Sequence, residues 1–79
     1  MAEYSYTVLF EPAEEGGFTV TCPALPGLVT EGDTLEEARA MAQDAIRAYL
    51  ESLRKDNLPI PSDRMPVKEE VRVLLPESA

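Results

Sequence analysis

Apolar and polar residues alternate from Tyr4 to Phe10, placing Tyr4, Tyr6, Val8 and Phe10 on one face and Ser5, Thr7 and Leu9 on the other. A period of two predicts a strand. The run Glu11-Pro12-Ala13-Glu14-Glu15-Gly16-Gly17 removes a backbone donor and supplies glycines, so the chain is expected to turn back there. Phe18, Val20 and Cys22 resume the alternation against Thr19 and Thr21, which makes the first two strands a hairpin. Pro23-Ala24-Leu25-Pro26-Gly27 reads as a rigid bend, with Pro26-Gly27 at the centre of a type II turn. A short third strand is expected over Leu28 to Glu31.

The period then changes. Gly32-Asp33 breaks the strand, and Thr34 with Glu37 reads as a capping box opening a helix. Leu35, Ala38, Ala42, Ala45, Ile46, Tyr49, Leu50 and Leu53 recur at helical spacing, while Glu36, Arg39, Gln43, Asp44, Arg47, Glu51, Arg54 and Lys55 take the other side. Acids near the start and Arg54-Lys55 near the end complement the helix dipole, and Asn57 before Pro59 marks a stop.

Pro59, Pro61 and Pro66 make residues 57–68 a Pro-rich connector, after which Val71, Val73 and Leu75 share one face of a fourth strand expected over 69–75. The order is β-β-β-α-β, an α+β fold with one helix on one face of a small, mostly antiparallel sheet. The fourth strand is expected parallel to the first and beside it. The connector is also long enough to reach another chain, so Val71, Val73 and Leu75 form a candidate oligomer edge.

At 79 residues the chain is read as a single domain, 1–79. A domain this small buries only about 60% of the surface its unfolded chain exposes, so a homodimer or higher homo-oligomer is expected to supplement a thin core. No segment approaches the roughly 20 apolar residues of a membrane helix, and Met1-Ala2-Glu3 lacks the pattern of a signal peptide. The sequence therefore points to a soluble, cytoplasmic protein with no membrane partner. Cys22 is the only cysteine and there is no histidine, so neither an intrachain disulfide nor a zinc site is expected. Its place among Phe18 and Val20 makes it a small buried hydrophobe.

Fifteen acidic against seven basic residues give a formal charge of −8. That balance disfavours direct binding to nucleic acid and favours cationic surfaces, although acidity by itself also serves solubility. A specific partner has to come from a motif.

The run from Pro23 to Ala38 combines a Pro-x-Leu-Pro-Gly bend, a short strand, and Gly32-Asp33-Thr34-Leu35-Glu36-Glu37-Ala38 opening the helix. It resembles the signature of HicB-like antitoxins, and with the flanking hairpin and helix the resemblance covers roughly residues 3 to 56. What it implies is a degraded ribonuclease-H-like fold without catalysis, which neutralises a small basic mRNA-cleaving toxin of the HicA type. The alternative is a solitary oligomeric scaffold or regulatory module of the same fold with another partner. Fuller versions of the family pattern carry a C-terminal DNA-binding segment. Here the sequence ends at Ala79 after the expected fourth strand, so the resemblance does not carry operator binding or autoregulation over to it.

The motif residues Pro23, Leu25, Pro26, Gly27, Gly32, Asp33, Thr34, Glu36, Glu37 and Ala38 have a structural explanation as bend, turn, cap and close helix approach. Paired acids such as Asp33 with Glu36 or Glu37 read as solvated caps, with no cofactor, metal or catalytic role assigned. A metal-dependent nuclease would need carboxylates converging from separate strands. The first strand has acids only at its ends, Glu3 and Glu11.

Overall fold

The structure, a computed structural model, describes residues 2–77. Three strands, β1 (Leu9–Pro12), β2 (Phe18–Thr21) and β3 (Val29–Gly32), precede one helix, α1 (Leu35–Lys55). The sheet is an antiparallel meander in the order β1-β2-β3. Rows run straight across it: Phe10, Val20 and Thr30 form one, Leu9, Thr21 and Val29 the next, and Glu11, Thr19 and Glu31 a third. Because the side-chain period is two, the first row faces α1 and the other two face away.

The core lies between β2, β3, the Pro-Gly bend and α1. Val20, Ala38 and Ala42 pack together with Val8, Phe10 and Phe18 around them. A second cluster joins Cys22, Leu25 and Leu28 to Tyr6, Ala45, Ile46, Tyr49 and Leu50. Small residues at 38 and 42 let the helix settle close to the strands. Gly32 completes that approach: a Cβ there would lie 2.6 Å from the Ala38 Cα and 2.9 Å from the Glu37 carbonyl carbon.

The local signals act as their chemistry requires. The Thr34 hydroxyl oxygen accepts from the Glu37 N–H at 3.0 Å, which satisfies one exposed donor of the first turn. This is one half of the expected capping box; the Glu37 side chain itself is exposed. At the other end Asn57 takes φ 55. The Leu58 N–H reaches the Leu53 carbonyl at 2.8 Å and the Asn57 N–H the Arg54 carbonyl at 3.1 Å, the bond pair of a Schellman cap. Gly27 at φ 86, with the Leu28 N–H bonded to the Leu25 carbonyl, gives the type II turn expected at Pro26-Gly27.

Two expectations need correction. The alternation predicts a first strand over Tyr4 to Phe10, but the paired segment is Leu9–Pro12. The reason lies in β2, which ends at Thr21 opposite Leu9 before the chain bends away, so residues 4–8 have no strand to pair with. Their alternation still sets their faces, since Tyr6 and Val8 pack onto the core while Ser5 is exposed. Pro12 fits an edge strand because it has no N–H to leave unpaired.

The fourth strand is the other correction. In the single chain residues 69–75 form no strand and pair with no strand among the described residues. Val71, Val73 and Leu75 are 74, 73 and 83% exposed. The chain is correspondingly drawn out, with a radius of gyration of 16.7 Å, where a compact domain of this length has about 12 Å.

Candidate interaction surface

The Pro23–Ala38 motif divides between core and surface. Leu25 and Ala38 are fully buried and Gly32 is buried beneath the helix start. Pro23 is half-buried, and Pro26 and Gly27 stand exposed in their turn. The Tyr49 hydroxyl donates to the Pro26 carbonyl at 3.0 Å and ties that turn to α1. Asp33, Thr34, Glu36 and Glu37 are exposed at the start of the helix.

Those exposed acids have company that their sequence positions do not show. Pro12, Phe18 and Gly32 lie across from one another, so the β1-β2 turn and the β3-α1 junction share one end of the sheet. Glu11, Glu14, Glu15, Glu31, Asp33, Glu36 and Glu37 all gather there, and every one is exposed. No Lys or Arg occurs before Arg39. An open concavity of about 480 Å³ runs between the turn and the helix start, lined by Glu15, Phe18, Glu31, Asp33, Glu37 and Met41. Like charges gathered on a concave surface sum to a field that attracts cations over a Debye length, about 8 Å at physiological salt.

Beside this end lies the sheet face turned away from α1. Its rows are Leu9-Thr21-Val29 and Glu11-Thr19-Glu31, with Leu9 38% and Val29 66% exposed. Apolar side chains edged by carboxylates form a surface suited to a partner with cationic groups around an apolar centre. Among the described residues no group of three acids or thiols is placed to hold a metal ion. Among the described residues no helix is long and apolar enough to cross a membrane.

A third feature is the arm after α1. Asp63 accepts the Thr7 N–H at 2.7 Å through Oδ1 and the Thr7 hydroxyl at 2.7 Å through Oδ2. The Tyr6 hydroxyl donates to the Pro61 carbonyl at 2.6 Å. Together these bonds pin the root of the arm along the extended segment before β1. The two Thr7 donors hold the Asp63 carboxyl below its ordinary range. Burial, with Cys22, Tyr4 and Asp63 nearby, pushes the Tyr6 phenol up, and burial likewise pushes up the Cys22 thiol.

The Asp63 shift has a definite sign. Its folded pKa is depressed, so the tether contributes above the ordinary aspartate value of 3.8 and is lost as pH falls through the lower folded value. The Thr7 amide signal in NMR should therefore move with an acidic titration midpoint below 3.8. In Asp63→Asn that movement should vanish; a midpoint at or above 3.8 would mean that the carboxylate is not held by Thr7 in solution.

Residues 6–72 match the protein family described as "HicB_like antitoxin of bacterial toxin-antitoxin system". The chain belongs to the HicB-like antitoxin family. Among its relatives, a UPF0150 protein of Thermoplasma acidophilum is 50% identical over 58 residues, which are 73% of this chain and 84% of that protein. Antitoxin HicB 1 of Photorhabdus laumondii is 48% identical over 56 residues, 71% of this chain and 36% of the antitoxin. Antitoxin HicB of Escherichia coli is 37% identical over 59 residues, 72% and 43% respectively. The chain thus spans less than half the length of the two named HicB antitoxins.

For a HicB-like chain the acid-rich end, more than the signature itself, is the notable surface. The signature residues Leu25, Gly32 and Ala38 build the core that holds this end in shape. The gathering of Glu11, Glu14 and Glu15 against Asp33, Glu36 and Glu37 escaped sequence reading because the two runs are some twenty residues apart. Asp63 was equally invisible, since a lone Asp in a Pro-rich connector carries no local signal for a bond to Thr7.

Proposed function

We propose that this HicB-like chain is the protein-binding module of an antitoxin and neutralises a small basic mRNA-cleaving toxin of the HicA type by occupying its RNA-binding surface. The observation that carries this reading is the convergence of seven exposed carboxylates at one end of the sheet with no basic residue before Arg39. A ribonuclease must present positive charge to hold a phosphate backbone. A surface that presents carboxylates and a few apolar side chains competes for the same charges, and the field speeds encounter before contact forms. Nothing catalytic is required of the antitoxin.

The test is co-expression with a short basic protein, should one be encoded beside it. Growth should be arrested by that protein alone and restored when this chain is present, with cellular mRNA intact. Replacing Glu14, Glu15 and Glu31 together by Lys should weaken binding by roughly tenfold to a hundredfold at low salt, because each exposed pair contributes about 0.2–1 kcal/mol and reversal adds repulsion. Calorimetry at increasing salt checks this, and the gap between parent and variant should narrow as salt rises. Equal affinity of parent and variant at low salt would move the toxin contact elsewhere.

A second reading has one observation in its favour: the chain covers 84% of the Thermoplasma acidophilum UPF0150 protein, a larger share than of either named antitoxin. On that reading it is a solitary oligomeric or regulatory module. Recovery of the chain from its own cells with no small basic protein attached would favour it.

A further inference from the structure

The two edges of the sheet are not alike. The approach to β1 is occupied, since Asp63 takes the Thr7 N–H and Pro61 the Tyr6 hydroxyl, and the strand ends on Pro12, which has no N–H to offer. β3 closes the sheet on the other side, and among the described residues no strand pairs with its outer edge. An edge strand leaves the N–H and C=O of every second residue pointing outward, free to pair with another chain. Proteins blunt such edges with proline, lysine or a bulge. Val29-Thr30-Glu31-Gly32 has none of these: its register with β2 is continuous, and Val29 and Thr30 are β-branched residues that suit a paired strand.

The space beside this edge is open on both faces. A concavity of about 430 Å³ is lined by Thr19, Val29 and Glu31 from the outer face and by Thr30 and Met41 from the helix face. Val29 is 66% and Met41 40% exposed. Thr19, Glu31 and Met41 also line the acid-rich concavity at the end of the sheet, so the two spaces adjoin.

We infer that β3 takes a strand from a basic partner, added antiparallel to its outer edge, with an Arg or Lys opposite Glu31 and apolar side chains opposite Thr30 and Val29. The inference rests on the reading of this chain as the binder of a basic protein, and it names the contact through which that protein is held. Charge chooses the occupant. Glu15, Glu31, Asp33 and Glu37 line the adjoining concavity. A second copy of this chain would bring its own Glu31 and Asp33 to the same edge, whereas a basic partner brings the opposite sign. The pattern of the incoming strand follows from its neighbours. On the outer face Val29 and Glu31 call for an apolar and a cationic residue two positions apart, and the residue between them turns toward Met41. Antiparallel addition continues the meander and is slightly more stable per residue than parallel pairing. Main-chain bonds then supply affinity and the three side chains supply specificity.

A peptide tests the edge without any toxin. The probe is Thr-Lys-Thr-Arg-Val-Val-Thr-Lys-Thr, capped at both ends and titrated into the full chain at low salt. At saturation, amide hydrogen exchange should slow by roughly tenfold or more at alternate residues of β3. Replacing the peptide's arginine by glutamine should weaken binding roughly twofold to fivefold. That loss should disappear in Glu31→Gln and persist in Glu15→Gln, which separates a strand in register from attraction to an acidic surface in general. Val29→Lys, at an exposed position, places a lysine on the edge and should abolish the protection, while its amide spectrum shows that it still folds. No binding, binding that leaves the β3 amides exchanging as in the free chain, or an arginine-to-glutamine loss that ignores Glu31 would each overturn the proposal. So would β3 amides already protected in the free chain and released on dilution, which would seat a second copy on the edge. Growth rescue together with an unprotected β3 would strike the edge contact alone, whereas a protected β3 without rescue would strike the toxin and leave the edge as a site for a basic strand.

Discussion

Leu25→Ala is expected to lower the unfolding free energy by about 2–5 kcal/mol, the range for removing a buried leucine from a packed core. Leu25 is fully buried and sits where the Pro-Gly bend meets the helix, between Cys22, Leu28 and the Ile46-Tyr49-Leu50 face. Two features place it at the upper part of that range. The bend is fixed by two prolines and by the Tyr49 bond to Pro26, so the backbone has little freedom to close the void. The core is also small, and a domain of this size has about 4–12 kcal/mol in all. Urea unfolding at fixed protein concentration should show a lower midpoint with an unchanged slope. Leu25→Met, which conserves volume, should cost less than about 1.5 kcal/mol. A loss below 1 kcal/mol for Leu25→Ala would show that the bend collapses onto the helix and that Leu25 is replaceable filler.

Gly32→Ala is the second large effect, and its direction is the more informative. In a strand with ordinary backbone angles, alanine stabilises relative to glycine by roughly 0.5–1 kcal/mol because it restricts the unfolded chain. Gly32 has no positive φ, so conformation does not demand glycine there. Space does. The added methyl would meet backbone atoms of Glu37 and Ala38, which cannot turn aside as the end of a long side chain can. The first turn of α1 must lift from β3, at a cost of about 1–3 kcal/mol. Ala38→Gly should fail to rescue it, because the colliding atoms are main chain. Thermal unfolding of Gly32→Ala and the double variant checks both statements. A stabilised Gly32→Ala would mean that the helix start is not seated on the strand.

These two positions bear on how the HicB-like signature is understood. Both lie within the Pro23–Ala38 run that resembles the HicB-like signature, and both belong to the packing between bend, strand and helix. The carboxylates proposed to meet a toxin lie partly outside that run, at Glu11, Glu14 and Glu15.

What the sequence determined by itself was everything governed by neighbours within one turn or one pleat. Alternation assigned Tyr6, Val8, Phe10 and Val20 to the core face, the Thr34 hydroxyl started the helix, Asn57 ended it, and Pro26-Gly27 shaped the bend. Each rests on a preference that a few adjacent residues express without help. The tertiary structure decided the rest. It limited β1 to Leu9–Pro12 because β2 ends opposite Leu9, and it brought two acidic runs to one end of the sheet. It bound Asp63 to Thr7 across 56 positions and left Val71, Val73 and Leu75 without a partner in their own chain. Strand propensity is local, but a strand exists only where another edge lies within hydrogen-bonding reach, and the place of that edge is set by the folding of the whole chain.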